Sequence, residues 1–268
     1  GRRLNAMGGL HELIAEPFER DDVRLVVSRL GSKATLADLE GRRGYLMVSV
    51  KNTNFTAQTV ETFCDLAERH LSAGEVILVD TPYMAPILAS ESDGDSRQRK
   101  IANLHKAAAD RRQFVEKILA RRSARISIRD FDEVDRTVAP EICREVRLAF
   151  ESGGRFREAL LARSREVIPP AIPDASMAPY AEFLVSEIPV LCHLYYASGA
   201  PGVVDVYPGE NPQLLWDIER GRYEQELPAI TGLVAQSPGL IYVDIGLAAR
   251  NADDGGSKTS FAGRHSAE

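Results

Sequence analysis

The chain has 268 residues, 44% of them hydrophobic and 27% charged, and its net charge is −6. This composition is globular and its length suits one large domain or two small ones, while its apolar runs are only strand-sized, which argues against a membrane-spanning segment. The three cysteines lie far apart, so the sequence predicts neither a disulfide framework nor a cysteine metal site, and we expect a cytoplasmic protein.

The N-terminal half of the chain predicts strands and a helix. Residues 1–19 mix glycine, arginine and acidic residues, and we expect them to be loosely ordered. Strands are expected over 23–30, 44–50 and 75–80, and the apolar residues between the last two recur at helical spacing over about 56–74. The order strand, strand, helix, strand is typical of a parallel α/β sheet with crossover helices.

The C-terminal half predicts mainly helices. The helices expected there lie over 96–123, 177–197 and 212–223, with one or two more over 133–165 that ESGGR interrupts. Strands are expected over 202–207 and 239–246. A proline-rich connection over 167–176 cannot be helical throughout. Residues 251–268 are small and polar, and we expect them to be loosely ordered. Because no internal repeat or domain boundary is evident, we expect a single domain over 20–250.

Several common catalytic signatures are absent from the sequence. No GxGxxG follows a predicted strand, and GxxxxGK[ST], GxSxG and HExxH do not occur. Their absence argues against a dinucleotide enzyme, a P-loop NTPase, an ordinary α/β-hydrolase and a zinc protease of that motif. We expect no cofactor and no bound metal.

A hydroxyl ends the second predicted strand. In LMVSVKNTNFT, over 46–56, the apolar strand gives way to a polar loop at Ser49, and Asn52 follows three residues later. One interpretation is a strand-to-helix turn capped by asparagine and threonine side chains. The other is a nucleophile with a hydrogen-bonding neighbour. The local sequence leaves both open.

An acidic residue lies on the apolar face of the helix expected over 177–197. Glu187 follows Phe183 by four residues and Tyr180 by seven, which places all three on one stripe. A carboxylate that faces the core costs several kcal/mol unless a cation or hydrogen-bond donors meet it. Glu187 therefore lies at the helix edge, joins a structural ion pair, or lines a cleft that binds a substrate ammonium. Pro189 removes a helical hydrogen bond nearby, which predicts a kink.

Two further features carry functional information. Tyr207 ends the strand expected over 202–207, where parallel sheets commonly present functional side chains. Residues 97–125 hold ten Lys/Arg and two acidic residues, a net charge of +8, which leaves −14 on the rest of the chain. A basic helix on an acidic protein is either a solvated face or a surface for a polyanion.

Together these features resemble the cyclodipeptide synthase family. SVKNTNF is similar to that family's strand-end serine with an asparagine three residues later and an aromatic residue six later, and VDTP, over 79–82, is similar to its Asp-x-Pro. FLVSEIP, over 183–189, resembles its Tyr-x-x-x-Glu-[Leu/Ile]-Pro helix. Tyr207 lies twenty residues after Glu187, the spacing of the family's catalytic glutamate and tyrosine. The basic helix lies where the family binds tRNA, and the resemblance runs over most of the chain.

The resemblance implies a Rossmann-like parallel sheet with helices on both faces, similar to the catalytic domains of class I tyrosyl- and tryptophanyl-tRNA synthetases, without an ATP site. It implies a monomeric aminoacyltransferase that makes a diketopiperazine from two aminoacyl-tRNAs. Ser49 would attack the first aminoacyl ester, Glu187 would anchor its α-ammonium, and Asn52 would hold the serine loop or the developing charge. A second aminoacyl-tRNA would deliver its amine to that ester, and Tyr207 would relay a proton as the ring closes.

Two departures from the family pattern indicate a divergent member. The family's tyrosine four residues before the glutamate is Phe183 here, so its hydroxyl is lost or moved. Tyr180, one turn earlier on the same face, is a candidate substitute. Asn52 also occurs together with the Tyr207-Pro208 pair, although these two features usually belong to different branches of the family.

Further residues are expected to bind tRNA or substrate if the chain has this function. Those expected to contact the acceptor stem through phosphates are Arg97, Arg99, Lys100, Lys106, Arg111 and Arg112. Those expected to bind substrate are Tyr45, Met47, Asp80, Asp205 and Glu210. Asp205 and Glu210 have no other assigned role, so we expect one pocket to take a cationic residue, arginine above all, because its planar fork pairs with a carboxylate. The alternative is that Asp205 pairs with an arginine of the protein.

Three other functions stay open on the sequence. A class I synthetase-like aminoacyltransferase would bind tRNA without making diketopiperazines. In a non-catalytic tRNA-binding protein, Ser49 would be only a turn residue. A small-molecule hydrolase would use Ser49 as its nucleophile, although no histidine lies in an evident partner motif.

Overall fold

The computed structural model describes residues 23–31, 33–50, 52, 54–90, 93–167, 177–209 and 213–247. The predictions for both termini, for most of the proline-rich connection and for Glu210 lie outside these residues. Among the helices of the described residues, none combines the length and the apolar character that a membrane span requires.

Six strands of the described residues form one sheet. In chain order they are β1 (Val23–Leu30), β2 (Arg43–Ser49), β3 (Ala73–Val79), β4 (Ile126–Asp130), β5 (Val203–Tyr207) and β6 (Ile241–Leu247). Their order across the sheet is β1-β6-β5-β2-β3-β4, and the five strands from β6 to β4 are parallel. The predicted parallel α/β sheet is thus confirmed. β1 differs, because it pairs with β6 in antiparallel orientation.

The described helices cover both faces of the sheet. They are α1 (Ala57–His70), α2 (Met84–Ser90), α3 (Gly94–Leu119), α4 (Phe131–Asp135), α5 (Pro140–Glu151), α6 (Arg155–Val167), α7 (Ala178–Tyr196), α8 (Gln213–Glu219) and α9 (Pro228–Gln236). A short 3-10 helix over Thr81–Tyr83 follows β3. The strand β4 and the helices α2 and α9 are additional to the elements predicted from the sequence.

Successive side chains of the central strands enter two separate cores. Leu46 and Val48 of β2 pack beneath α1 and α3. Tyr45 and Met47 of the same strand pack on the opposite face, against the core that α4 to α9 complete. Since side chains alternate along a strand, Ser49 belongs to the same face as Tyr45 and Met47. The site therefore forms on the face that α7 covers.

α1 approaches the sheet closely because two neighbouring strands carry glycines beneath it. Gly44 of β2 pairs in register with Gly74 of β3. A Cβ atom added to Gly74 would lie 2.9 Å from the Cβ of Ala67 and 3.2 Å from the Phe63 ring. These glycines set the depth at which α1 packs, and α1 follows directly on the Ser49 loop.

α3 is long and mostly solvent-facing. It begins at Gly94, two residues before the predicted start at Ser96, because Asp93 is the N-cap and its carboxylate accepts a hydrogen bond from the Ser96 N–H at 2.9 Å. Its 26 residues include only two that are buried, Leu104 and Val115. The predicted basic helix is therefore present, with most of its charged residues exposed.

Candidate active site

Ser49 ends β2 at the carboxyl edge of the parallel strands, and 9% of the residue is exposed. Other side chains close the turn that follows it. Asn52 Oδ1 accepts a hydrogen bond from a backbone N–H at 2.9 Å, and Thr56 caps α1 by accepting one at 3.2 Å. The Ser49 hydroxyl forms a hydrogen bond with the hydroxyl of Tyr83. Asn52 and Thr56 thus cap the turn, as one of the two interpretations of this stretch predicts. Ser49 instead forms a hydrogen bond with a second hydroxyl.

Tyr207 brings a third hydroxyl to this edge of the sheet. It ends β5, the neighbour of β2, and its hydroxyl accepts a hydrogen bond from Asn52 Nδ2 at 3.2 Å. Its ring meets Phe55 edge-on, with 5.5 Å between the ring centroids. Burial raises the pKa of Tyr207, and the hydrogen bond from Asn52 opposes that rise. The phenol is therefore neutral near pH 7.

Tyr83 is a member of this cluster that the sequence motifs do not identify. It lies in the 3-10 helix after β3, and its ring packs on Phe183 of α7, with the ring centroids 5.1 Å apart. Burial raises the pKa of Tyr83 against the effect of its hydrogen bond with Ser49. The one sequence signal that could have found it is its place directly after the VDTP segment.

Glu187 is the acidic residue whose charge acts on these hydroxyls. It lies in α7, which continues through Pro189 as one helix, and its charge raises the pKa of both Tyr83 and Tyr207. Burial raises the pKa of Glu187 itself to about 7, and Arg163 of α6 opposes that rise. A carboxylate in this position gains from a cationic ligand. We call the following five residues the serine cluster: Ser49, Asn52, Tyr83, Glu187 and Tyr207.

Asp205 lies two residues before Tyr207 on β5, and only 1% of it is exposed. Its partners in the sheet register are Tyr45 and Tyr242, and hydrogen bonds from the Tyr195 and Tyr242 hydroxyls favour its charged form. Burial outweighs these bonds and raises the pKa of Asp205 to about 7. Within the part of the chain that the structure describes, its Oδ1 atom has no hydrogen-bond partner.

Asp205→Asn is expected to flatten the pH dependence of stability. The folded protein holds the Asp205 proton up to about pH 7, whereas an unperturbed aspartate releases it at 3.8. The free energy of unfolding therefore falls as the pH rises through this window, by roughly 2–3 kcal/mol between about pH 5 and pH 8, and the asparagine variant lacks this contribution. Urea unfolding at both pH values measures the slope, with exposed Asp110→Asn as the matched control. Equal slopes in the wild type and Asp205→Asn would contradict the raised pKa.

Four other predicted site residues lie outside the serine cluster. Tyr45 and Met47 are buried in the core on the Ser49 face of β2. Phe183 is half-buried and reaches the cluster through its contact with Tyr83. Tyr180 is half-buried in the first turn of α7.

Asp80 lies beside a separate acidic cleft, beyond the ends of β3 and β4. It directly precedes the 3-10 helix after β3, and its Oδ1 accepts a hydrogen bond from Thr81 Oγ1 at 3.3 Å. The other residues that line the cleft are Met84, Leu104, His105, Asp130, Asp132, Glu133 and Arg136. The cleft is thus built from elements other than the Ser49 loop, and the substrate-binding role of Asp80 stays a prediction.

Arg111 of α3 braces the loop after Ser49. Its Nη1 atom donates a hydrogen bond to the Phe55 carbonyl at 2.7 Å, and Nη2 donates to the Asn52 carbonyl at 3.5 Å. This contact fixes α3 against the loop that carries Asn52. A structural role therefore accompanies the phosphate contact predicted for this residue.

The remaining basic residues predicted to bind tRNA differ in their surroundings. Arg112 pairs with Asp130 at 2.8 Å and with Glu116 at 3.1 Å. Arg97 is half-buried near the start of α3. The exposed members of the set are Arg99, Lys100 and Lys106. The N-terminal half of α3 thus presents the more accessible positive charge.

No protein-family model matches the chain, and no curated protein matches it. Solved structures do match. A cyclodipeptide synthase from Fluoribacter dumoffii gives a TM-score of 0.62 at 10% sequence identity, over 84% of this chain and 98% of that chain. The Mycobacterium tuberculosis protein whose structure demonstrates that cyclodipeptide synthetases are related to type I tRNA synthetases gives a TM-score of 0.61 at 14% identity, over 91% and 97%.

A third solved structure contains tRNA. The cyclodipeptide synthase from Candidatus Glomeribacter gigasporarum, bound to Phe-tRNAPhe, matches with a TM-score of 0.53 at 14% identity, over 85% of this chain and 94% of that chain. At these identities the likeness is one of backbone architecture. It agrees with the resemblance that the motifs indicate, and the chain has the fold of the cyclodipeptide synthases.

Proposed function

We propose that this protein is a tRNA-dependent cyclodipeptide synthase. It joins the aminoacyl groups of two aminoacyl-tRNAs into a diketopiperazine and carries the first group as an ester on Ser49. The observation that supports this most directly is the serine cluster, in which a strand-end hydroxyl, two neutral phenols and a carboxylate of raised pKa meet on the fold of known cyclodipeptide synthases.

Acyl transfer to Ser49 needs no nucleotide cofactor. An aminoacyl-tRNA is already an activated ester, so a serine can take the acyl group in exchange for the ribose oxygen. The bond between the carbonyl carbon and Ser49 Oγ forms, the bond to the ribose oxygen breaks, and the serine proton ends on the tRNA. The acyl-enzyme then keeps the energy of an ester for the second step.

Glu187 binds the α-ammonium of the serine-bound aminoacyl group. A cation at this position stabilises the carboxylate, so substrate binding lowers the pKa of Glu187 from its raised value of about 7. In the ring closure, the free amine of the dipeptidyl-tRNA forms a bond to the ester carbonyl carbon, the bond from that carbon to the ribose oxygen breaks, and tRNA leaves. Tyr207, which Asn52 holds by a hydrogen bond, relays the amine proton to the ribose oxygen. Tyr207 acts in the neutral form that its surroundings favour, whereas Glu187 acts as the carboxylate that the bound ammonium stabilises.

Aminoacyl-tRNA is the partner, and α3 is the surface that receives it. Arg99, Lys100 and Lys106 are exposed on this helix, and phosphates of an acceptor stem are their natural ligands. The fold neighbour that was solved with Phe-tRNAPhe supports the same class of partner for this chain. Contacts to phosphates would position the tRNA without reading its sequence.

One of the two substrates is arginine, selected by Asp205. This carboxylate is buried beneath Tyr207, and its Oδ1 atom has no partner within the described residues. A guanidinium would supply both the missing donors and the opposite charge. This proposal differs from the alternative in which a protein arginine neutralises Asp205, because it makes the charge on Asp205 a determinant of the product.

Mass spectrometry of the culture medium of an expressing bacterium tests the function. We expect new diketopiperazines, with cyclo(Arg-X) among them, in the wild-type culture. Neither a non-catalytic tRNA-binding protein nor a hydrolase would make them. A medium without diketopiperazines, from cells that contain folded protein and charged tRNA, would contradict the proposed activity.

Asp205→Asn is expected to change the product rather than the reaction. Loss of a buried charge-assisted hydrogen bond should reduce cyclo(Arg-X) about 10- to 100-fold relative to apolar diketopiperazines. The ratio of the two product classes in the medium measures this, and Asp110→Asn, on the exposed face of α3, should leave the ratio unchanged. Only apolar products from the wild type would exclude arginine as a substrate.

A further inference from the structure

The Ser49 hydroxyl has a hydrogen-bond partner that the motif-based assignment does not include. Tyr83 brings its hydroxyl onto Ser49 Oγ from the 3-10 helix after β3. Its ring is held from the other side by Phe183 of α7, 5.1 Å away between centroids. Phe183 lies one helical turn before Glu187 and has no hydroxyl of its own to offer. The phenol at Ser49 thus comes from the sheet edge and is positioned by α7.

We infer that Tyr83 is a further catalytic residue, which donates a hydrogen bond to Ser49 Oγ when the serine ester is cleaved. The inference rests on the proposed function, because it assumes that Ser49 carries the acyl group. It assigns the hydroxyl that is missing at Phe183 to a residue on a different element, and it replaces the expectation that Tyr180 fills this role.

Tyr83 acts as a hydrogen-bond donor and not as a base. Burial and the nearby charge of Glu187 both raise its pKa, so the phenol keeps its proton near neutral pH. A neutral phenol that faces an oxygen can donate its proton into a hydrogen bond but cannot remove the serine proton. Its benefit is therefore largest when negative charge develops on Ser49 Oγ.

That charge develops in the step that releases the acyl group. The attacking amine nitrogen forms a bond to the carbonyl carbon, the bond from that carbon to Ser49 Oγ breaks, and the electron pair moves to Oγ. A proton from the amine then restores the serine hydroxyl. The Tyr83 hydroxyl stabilises Oγ while the bond breaks and is unchanged afterwards, so the step balances without any further reactant.

A chase experiment separates the two half-reactions. The enzyme is loaded with a radiolabelled aminoacyl-tRNA, and the decay of the protein-bound label is followed after a second aminoacyl-tRNA is added. In Tyr83→Phe we expect label to form within about tenfold of the wild-type rate and to decay about 100-fold more slowly, as for the loss of one oxyanion donor. Tyr223→Phe, which removes a phenol hydroxyl from a ring that packs on Phe156 outside the serine cluster, should decay at the wild-type rate.

The double variant Tyr83→Phe with Phe183→Tyr tests the replacement directly. It returns a hydroxyl to α7 one turn before Glu187. We expect its label to decay at least about tenfold faster than that of Tyr83→Phe alone. Normal decay in Tyr83→Phe, or an equal loss of loading and decay, would overturn the inference, because a merely structural tyrosine affects both steps. Failure of the wild type to become labelled would instead contradict the proposed function.

Discussion

Ser49→Ala is expected to abolish both the covalent aminoacyl-enzyme and the diketopiperazine product. In the proposed mechanism Ser49 Oγ takes the acyl group, and alanine leaves no atom at that position to form the ester. We expect product formation to fall on the order of 10³-fold or more, as nucleophile removal does in serine enzymes. The variant also lacks the hydrogen bond between Ser49 and the Tyr83 hydroxyl, which costs about 1 kcal/mol of stability.

Radiolabelled aminoacyl-tRNA measures the first effect, because the label stays on the protein through a denaturing gel only if the bond is covalent. Ser127→Ala is a matched control, since Ser127 is an exposed serine within β4 at the far edge of the sheet. It should label like the wild type. Label that persists in folded Ser49→Ala would refute the assignment of the nucleophile, and a melting curve of each variant establishes that it is folded.

The parallel sheet could be predicted from the sequence because strands and helices follow each other in an order that leaves few arrangements. The direction of β1 could not be predicted. Its apolar pattern is the same for either orientation, and its partner β6 lies at the other end of the chain. β4 was also beyond prediction, because its five residues at the sheet edge include only two apolar side chains, Ile126 and Ile128.

The meeting of Ser49, Asn52 and Tyr207 follows from their positions. Residues that end neighbouring parallel strands lie at the same edge of a sheet, and β2 and β5 are neighbours. The position of Tyr83 beside Ser49 could not be predicted in this way, because it depends on how α7 packs against the 3-10 helix after β3. Helical periodicity reports which residues share a face of one helix, as Tyr180 and Glu187 do, and not which side chain from another element approaches it. The role of Tyr180 stays a prediction.

Reversing the charge of Arg97, Arg99 and Lys100 to glutamate is expected to weaken tRNA binding roughly 100-fold or more at about 0.1 M salt. Each lost phosphate contact removes the release of about one counterion. The slope of the logarithm of affinity against the logarithm of salt concentration should therefore become shallower by about three. The three residues follow the Asp93 cap within the first two turns of α3. Filter binding of labelled aminoacyl-tRNA across a range of salt concentrations measures both quantities.

A reversal of equal size elsewhere distinguishes a phosphate-binding surface from general repulsion. Arg144, Arg155 and Arg220 are exposed and lie outside α3, so their joint change to glutamate alters the net charge equally. If only net charge mattered, both triple variants would lose affinity alike. Arg111 is left unchanged in this test because it holds the Asn52 loop, and its loss would mix a change at the serine cluster with a change in binding. Wild-type affinity in the α3 variant would mean that this basic face is only solvated.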